Sequence, residues 1–372
     1  MGAISRSLVS RLLLLFGAPL CLVLAALAPA QAALTPVATS PMTFWQTNGR
    51  VQAILATPGA LYIGGTFTQL IGPSGQTVSV QNIAALSPTT GAPLSGFSAA
   101  VNKQVWDFAL CGTTLYAVGD FGYAGSVRRQ KAAAFNASTG ALLSWNPKAN
   151  GRIYSAVCTS SSVYLGGNFT ALHGTSRPYL AAVDPTSGAI QSGWNPTPNN
   201  TIKAIAPSPD GTQLVVGGLF TNISGTSKQH IASVSPSTGG LQSWPATTTD
   251  PLDDVIVVGS QVFAAGEHNM TEAFSLSTGA RQWVSTGNGN VQTLTELNGV
   301  LYVGGHFSIW NNLTAKHIVA LDPATGRTVT WSINENSALG TWALANQNGM
   351  LYVGGDFTKI NRELVQHLAV FE

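Results

Sequence analysis

The stretch Leu351-Tyr-Val-Gly-Gly-Asp-Phe-Thr358 decides the fold, because the chain writes it seven times. The other copies begin at Leu61, Leu115, Val163, Leu214, Val262 and Leu301. Their second glycines are Gly65, Gly119, Gly167, Gly218, Gly266, Gly305 and Gly355, in steps of 54, 48, 51, 48, 39 and 50 residues. A period near 50 marks a repeat architecture, and it overrides the two-domain expectation that length alone would give.

The third copy shows what one repeat contains. Ile153 to Cys158 reads as a first short strand, and Ser160-Ser161-Ser162 as a turn. Val163 to Gly167 reads as a second strand, followed by a polar loop from Ala171 to Pro178. Tyr179 to Val183 is a third strand, Asp184-Pro-Thr-Ser-Gly188 a tight turn, and a fourth strand runs on to Trp194. The turn recurs at Ser87, Asn136, Ser235, Ser275 and Asp322. Its opening Asp, Asn or Ser accepts a hydrogen bond from the turn's own backbone, and its closing Gly takes the left-handed conformation. These polar residues are therefore turn formers before they are catalytic candidates.

The fourth strand carries one aromatic per repeat: Phe97, Trp145, Trp194, Trp244, Trp283 and Trp331. A bulky ring at a fixed place fits a wedge between neighbouring sheets. The seventh lies at the other end of the chain, where Phe44-Trp45-Gln46 matches Ser144-Trp145-Asn146, while the last repeat stops at Phe371-Glu372. The expectation is all-β: a seven-bladed β-propeller of four-stranded antiparallel blades, the last blade closed by the N-terminal strand at Trp45. The fifth repeat is irregular, with its loop cut to Asn269-Met270-Thr271.

The first 32 residues differ. Arg6 and Arg11 precede an apolar run from Leu12 to Ala28, and Ala30-Gln31-Ala32 offers small residues for cleavage. That is a secretory signal pattern, an uncleaved anchor being the other reading of the same run. Residues 1–32 are thus a signal peptide, 33–42 a short N-terminal segment and 43–372 one propeller domain. The expectation is a secreted or cell-surface monomer, free of the membrane after cleavage. Without Arg6 and Arg11 the formal charge falls from +2 to 0, and only 9% of residues are charged. So neutral a chain lacks the basic footprint of nucleic-acid binding. Cys111 and Cys158 occupy equivalent places in successive repeats. Secretion permits a disulfide, whereas equivalent places in adjacent repeats are expected to lie too far apart for one, and two buried small residues is the other reading.

The run of Leu-Tyr-Val-Gly-Gly-Asp-Phe-Thr358, a polar loop, and a turn such as Asp322-Pro-Ala-Thr-Gly326 followed by Trp331 resembles the delta-60-type repeat propellers of secreted bacterial proteins. The segment from Ala320 to Trp331 is also similar to the tryptophan-docking motif of quinoprotein-type propellers. The first resemblance implies an extracellular propeller. The second would imply eight blades, a quinone and a calcium ion, against seven repeats here, and no catalytic residue is carried over from it.

No nucleophile elbow, zinc-protease pair, calcium loop or phosphate loop appears. Asp253-Asp254 is the adjacent acidic pair, but successive strand residues face opposite ways, so it is not expected to act as a dyad. His230, His317 and His367 share one repeat position and are not expected to bind metal. One constellation remains. In a propeller the first strand is innermost, and its opening residues lie at one channel mouth. The residue before it includes Arg50 and Arg152. Two places on, the ring reads Gln52, Trp106, Tyr154, Lys203, Asp253, Gln292 and Trp342. Loops on the same face add Trp310. These aromatics either fill space between blades or form a platform for a sugar, peptide or partner loop. The expected function is a non-enzymatic binding module for a carbohydrate or protein ligand at this mouth, without cofactor. The alternatives are a polysaccharide hydrolase or lyase using Asp253, Asp107 or Glu267, and a quinone-dependent oxidoreductase.

Overall fold

A computed structural model describes residues 34–372, one compact unit. The expected signal segment lies outside the described residues. Among the described residues there is no helix.

Every repeat builds a sheet in the same order, its first strand on one edge, its second central and its third beyond. The first strands are Val51–Ala56, Val105–Cys111, Ile153–Cys158, Ile202–Pro207, Leu252–Val258, Val291–Leu297 and Thr341–Gln347. Each packs against the next in that order, and the last returns to pack against the first. Five second strands carry the double glycine, as in Leu61–Gly65 and Met350–Gly355, and the second and fifth end instead in Val118-Gly119 and Ala265-Gly266.

The two glycines have different work. A Cβ on the second one would strike the carbonyl that precedes the same sheet's first strand, as at Gly167, 2.2 Å from Arg152 O. A Cβ on the first would strike the next sheet's first strand: Gly64 meets Val105, and Gly354 meets Val51. The motif is therefore a close-approach device at which side chains are excluded.

The core is distributed. Seven apolar clusters occur among the described residues, each shared by two successive sheets, the last joining Tyr352 and Val370 to Val51 and Leu61. A motif aromatic meets the repeat aromatic in six seams, as Tyr116 and Trp145 do at 4.9 Å and Tyr302 and Trp331 at 5.2 Å between ring centroids; in the fourth repeat the motif place is Val215, and Trp244 meets Phe274 instead. In the second repeat both reach the next sheet's turn, whereas Tyr302 and Trp331 bond Val37 N and Ala38 O of the N-terminal segment. Tyr116 Oη donates to Pro185 O at 2.7 Å and Trp145 Nε1 to Asp184 O at 3.0 Å. The wedge expected from the sequence is present. Its seventh member is Phe44 rather than Trp45: Phe44 is buried and sits 6.3 Å from Tyr352.

Two expectations about strands change. A full fourth strand occurs in the fifth repeat alone among the described residues, at Arg281–Thr286. In five others the segment makes one bridge, such as Leu86 with Pro93 and Val183 with Ile190. Pro147, Pro196 and Pro245 follow the repeat aromatic in the second to fourth repeats, where the fifth repeat's strand continues past Trp283, and proline has no N–H for a ladder. The sixth segment lacks proline and still makes one bridge. At the other end, Gln46–Thr47 pairs with Gln69–Ile71 of the first repeat, not with the last sheet. The backbone before it does follow the last sheet: Ala38 N donates to Glu372 O at 2.8 Å and Met42 N to Val370 O at 2.7 Å.

Cys111 and Cys158 form a disulfide, their Cα atoms 6.1 Å apart. The expectation of too great a distance fails because successive first strands lie side by side around the ring, so their equivalent ends come within reach.

Candidate functional site

Each first strand carries a β-bulge at its start. The register shifts between Val105 and Asp107, between Leu252 and Asp254, and at the same place in the other five sheets. A bulge breaks the two-residue alternation and re-aims side chains. Two successive residues of each strand therefore line the central cavity, and Asp253 and Asp254 both do so, contrary to the alternation expected from sequence. The cavity measures about 650 Å³, within the roughly 300–1,000 Å³ of ligand pockets.

The outer tier is the ring picked from the sequence. Gln52, Trp106, Arg152, Tyr154, Lys203, Asp253, Gln292 and Trp342 all line the cavity. Trp106 stands edge-on to both Tyr154 and Trp342, at 5.6 and 5.9 Å between centroids. Cations cover the ring faces: Arg50 lies 4.9 Å from the Trp342 centroid, Arg152 5.2 Å from that of Trp106, and Lys203 Nζ 4.5 Å from that of Tyr154. Each cation also has an acid. Arg152 is 2.6 Å from Asp120, Lys203 3.0 Å from Asp253 and Arg50 3.7 Å from Asp356. Arg50 thus supports the wall from behind and is not among the lining residues.

Trp310 does not belong to the site. It is fully buried in the cluster between the fifth and sixth sheets, and its Nε1 donates to Ser285 Oγ at 2.8 Å. The loop that carries it folds back as a hairpin, Ile309–Trp310 with Leu313–Thr314, which turns Trp310 inward and Leu313 outward. Arg129, His173 and Arg177 from neighbouring loops also bond backbone carbonyls.

The sequence offered Asp107 as an acid or base for the alternative reading and Asp254 as half of an acidic pair, but not the inner tier to which both belong: Ala53, Asp107, Ser155, Ala204, Asp254, Thr293 and Ala343. Four of these staple one sheet to the next. Asp107 Oδ2 accepts from Ala156 N at 2.9 Å, Ser155 Oγ from Ile205 N at 3.2 Å, Asp254 Oδ2 from Leu294 N at 2.7 Å and Thr293 Oγ1 from Leu344 N at 3.0 Å. Burial pushes the Asp107 carboxyl up to about 6 and that of Asp254 up to about 7, the charges of Asp107 and Asp253 adding to the latter. The usable signal was a polar residue in a position that is alanine in the other three repeats.

Several polar atoms of the mouth have no hydrogen-bond partner in the protein. Trp106 Nε1 and Trp342 Nε1 are donors of this kind, and Gln52 Oε1 and Gln292 Oε1 are acceptors. Gln52 is only 5% exposed. Buried polar groups are rarely left so, and four around one cavity call for an explanation.

The histidines are backbone features. His230, His317 and His367 sit just before the third strand with φ of 65°, 69° and 64°, as do Asn82, Lys131 and Tyr179 at 62°, 70° and 67°. No group of His, Cys, Asp and Glu suited to a metal ion occurs among the described residues.

Residues 176–345, less than half of the chain, match a family model described as outer membrane protein assembly factor BamB. No curated protein matches the chain. Among solved structures it is similar to the WD40 beta propeller domain of Doa1, with TM-score 0.57 and 10% identity over 89% of this chain and 96% of that one. It is also similar to the computationally designed Ika8 protein, with TM-score 0.55 and 12% identity over 89% and 99%. At such identities the likeness carries the fold alone: an all-β repeat protein of propeller type.

Proposed function

We propose that this chain is a secreted or cell-surface, seven-bladed β-propeller that acts as a binding or interaction module, without catalysis, for a carbohydrate or protein ligand at the channel mouth. The ring of first strands and the seven shared clusters support the blade count. The backbone bonds of Ala38 and Met42 to the last sheet support closure by the N-terminal segment. The signal pattern in residues 1–32 supports secretion. One observation carries the function: Trp106, Trp342, Gln52 and Gln292, each with a buried polar atom that has no partner in the protein, line one cavity of ligand size.

The alternative is a polysaccharide hydrolase or lyase at the same place. Its support is the upward shift of Asp107 and Asp254, since perturbed carboxyls in a cleft mark candidate acids and bases. Each of these carboxyls already holds two backbone N–H groups, one per oxygen, which favours the stapling role and puts the binding reading first.

The test is binding of residues 33–372 to immobilised glycans and cell-wall fragments, with Trp106→Ala beside the native protein, and a pull-down from secreted and envelope fractions. A specific ligand lost in the variant supports the reading. Turnover of a polysaccharide, abolished by Asp107→Asn, would replace it with the alternative.

A further inference from the structure

The cavity is lopsided in charge. Its lining cations are matched, Lys203 by Asp253 at 3.0 Å and Arg152 by Asp120 at 2.6 Å. Three of its four carboxyl groups are not. Asp107, Asp254 and Glu267 line the same space, and none has a cation within ion-pair distance among the described residues. Two amide oxygens add to this excess of acceptors: Gln292 Oε1, and Gln52 Oε1 on a side chain only 5% exposed. The aromatic wall shows the same electrostatic sense, the faces of Trp342 and Trp106 being taken by the protein's own Arg50 and Arg152, so the unmatched carboxyls carry the preference. A ring face attracts positive charge through its quadrupole.

The connections between second and third strands also differ on one side. Six repeats carry a hairpin between second and third strands, whereas the fifth passes from Gly266 to Met270 with none. Glu267 stands in that short link. In ring order the fifth sheet is three places from both the first and second, which supply Gln52 and Trp106. No three His, Cys, Asp or Glu residues come together as a metal site among the described residues. Acceptors spread around a cavity of about 650 Å³ suit a cation larger than a metal ion.

We propose that the channel mouth takes an organic cation, an alkylammonium or guanidinium group, entering over the fifth sheet, with Glu267, Asp107 and Asp254 as counter-charge and Gln52 and Gln292 as hydrogen-bond acceptors. The proposal rests on the binding-module reading and gives its ligand a chemistry. The cation comes either as a free polyamine or as a Lys or Arg side chain that a partner presents. Burial holds Asp254 and Asp107 protonated below about 7 and about 6, so their counter-charge is present only above those values. The other groups facing them across the cavity are Asp253, Glu267, Lys203, Arg152 and Tyr154.

The experiment is titration calorimetry of residues 33–372 at pH 8 and pH 5.5 with 1,5-diaminopentane, arginine amide and a linear Arg-containing peptide, and with glucose and citrate for contrast. The expected result is saturable binding of a cation at pH 8, weaker at pH 5.5. Glu267→Gln should weaken it about tenfold, the loss of one charged hydrogen bond. The Glu267 side chain makes no bond to the rest of the chain, so this variant keeps the fold, which melting confirms; Asp107→Asn is the second variant. Binding of free amines identifies a small polyamine, and binding of the peptide alone identifies a presented side chain. Cation binding unchanged in both variants overturns the proposal. Binding of glucose but of no cation, lost in Trp106→Ala, also overturns it while leaving the binding-module reading standing. If no probe binds, the proposal falls, and the glycan array and pull-down decide the broader reading separately.

Discussion

Asp107 Oδ2 accepts the backbone N–H of Ala156 from the neighbouring sheet at 2.9 Å, while Oδ1 accepts its own neighbour, Phe108 N, at 2.7 Å. One carboxyl therefore ties two sheets at the innermost strand. Asp107→Ala leaves both N–H groups without that acceptor and should cost about 1–3 kcal/mol. Alanine occupies the same place at Ala53, Ala204 and Ala343, so the smaller side chain fits and the loss reads the hydrogen bonds. Chemical denaturation measures it. An unchanged midpoint would show that the staple adds nothing to stability.

Glu335 should make the protein less stable in mild alkali. It is 3% exposed, its Oε1 accepts from Thr341 Oγ1 at 2.5 Å, and its Oε2 has no partner. Burial, with Asp356 nearby, pushes it up to about 8 from 4.5, as burial pushes Asp254 to about 7 from 3.8. The folded chain thus keeps protons that the unfolded chain has already released. That contribution is fully present below the unfolded values and is lost as pH rises through 7 and 8. His230, His317 and His367 are pushed down by burial and act in the opposite sense, but only below 6.5. The Tm should therefore fall from pH 6.5 to pH 8.5. Glu335→Gln, which keeps the acceptor for Thr341, should raise the Tm at pH 8.5 and flatten the slope.

The disulfide between Cys111 and Cys158 closes 47 residues of chain. Loop closure of that length stabilises by about 4 kcal/mol in the chain-entropy account, an upper figure for real proteins. Cys111→Ser with Cys158→Ser, or reduction, should lower the melting temperature clearly. The cysteines pack against the cluster between the second and third sheets, so proteolysis should open that seam first.

Gly167→Ala tests the motif that organises the chain. The new Cβ would stand 2.2 Å from Arg152 O and 2.8 Å from the Phe169 ring. The backbone at Arg152 and Ile153 must move, and with it a side chain that bonds Asp120 and covers Trp106. Both stability and any ligand affinity should drop. Gly174→Ala, in a loop with nothing near its Cβ but with φ of 79°, should lose stability through backbone strain while sparing affinity.

Trp106→Ala and Trp342→Ala separate packing from recognition. Each ring is partly buried against aromatic neighbours, so some loss of Tm is expected from either variant. Ligand affinity should fall beyond what the lost stability explains. Affinity left intact beside a large fall in Tm would make the wall a packing feature and remove the binding hypothesis.

The sequence alone determined the repeat, the all-β class and most of the outer tier. These follow from periodicity: the same motif at the same step places the same atom at the same radius, so eight of the ten chosen residues meet around one cavity. Trp310 could not be read this way, because a two-residue hairpin decides which of its faces is buried. Phe44 rather than Trp45 meets Tyr352, and periodicity alone does not separate two neighbouring aromatics. What only the tertiary structure decided was the inner tier, the disulfide and the charge balance. Seven bulges put two successive residues of each strand into the channel, where strict alternation allows one. Side-by-side packing of first strands, between residues about fifty apart in sequence, brings Asp107 to Ala156 and Cys111 to Cys158. Such distances depend on how the ring closes, and no local pattern of residues encodes that closure.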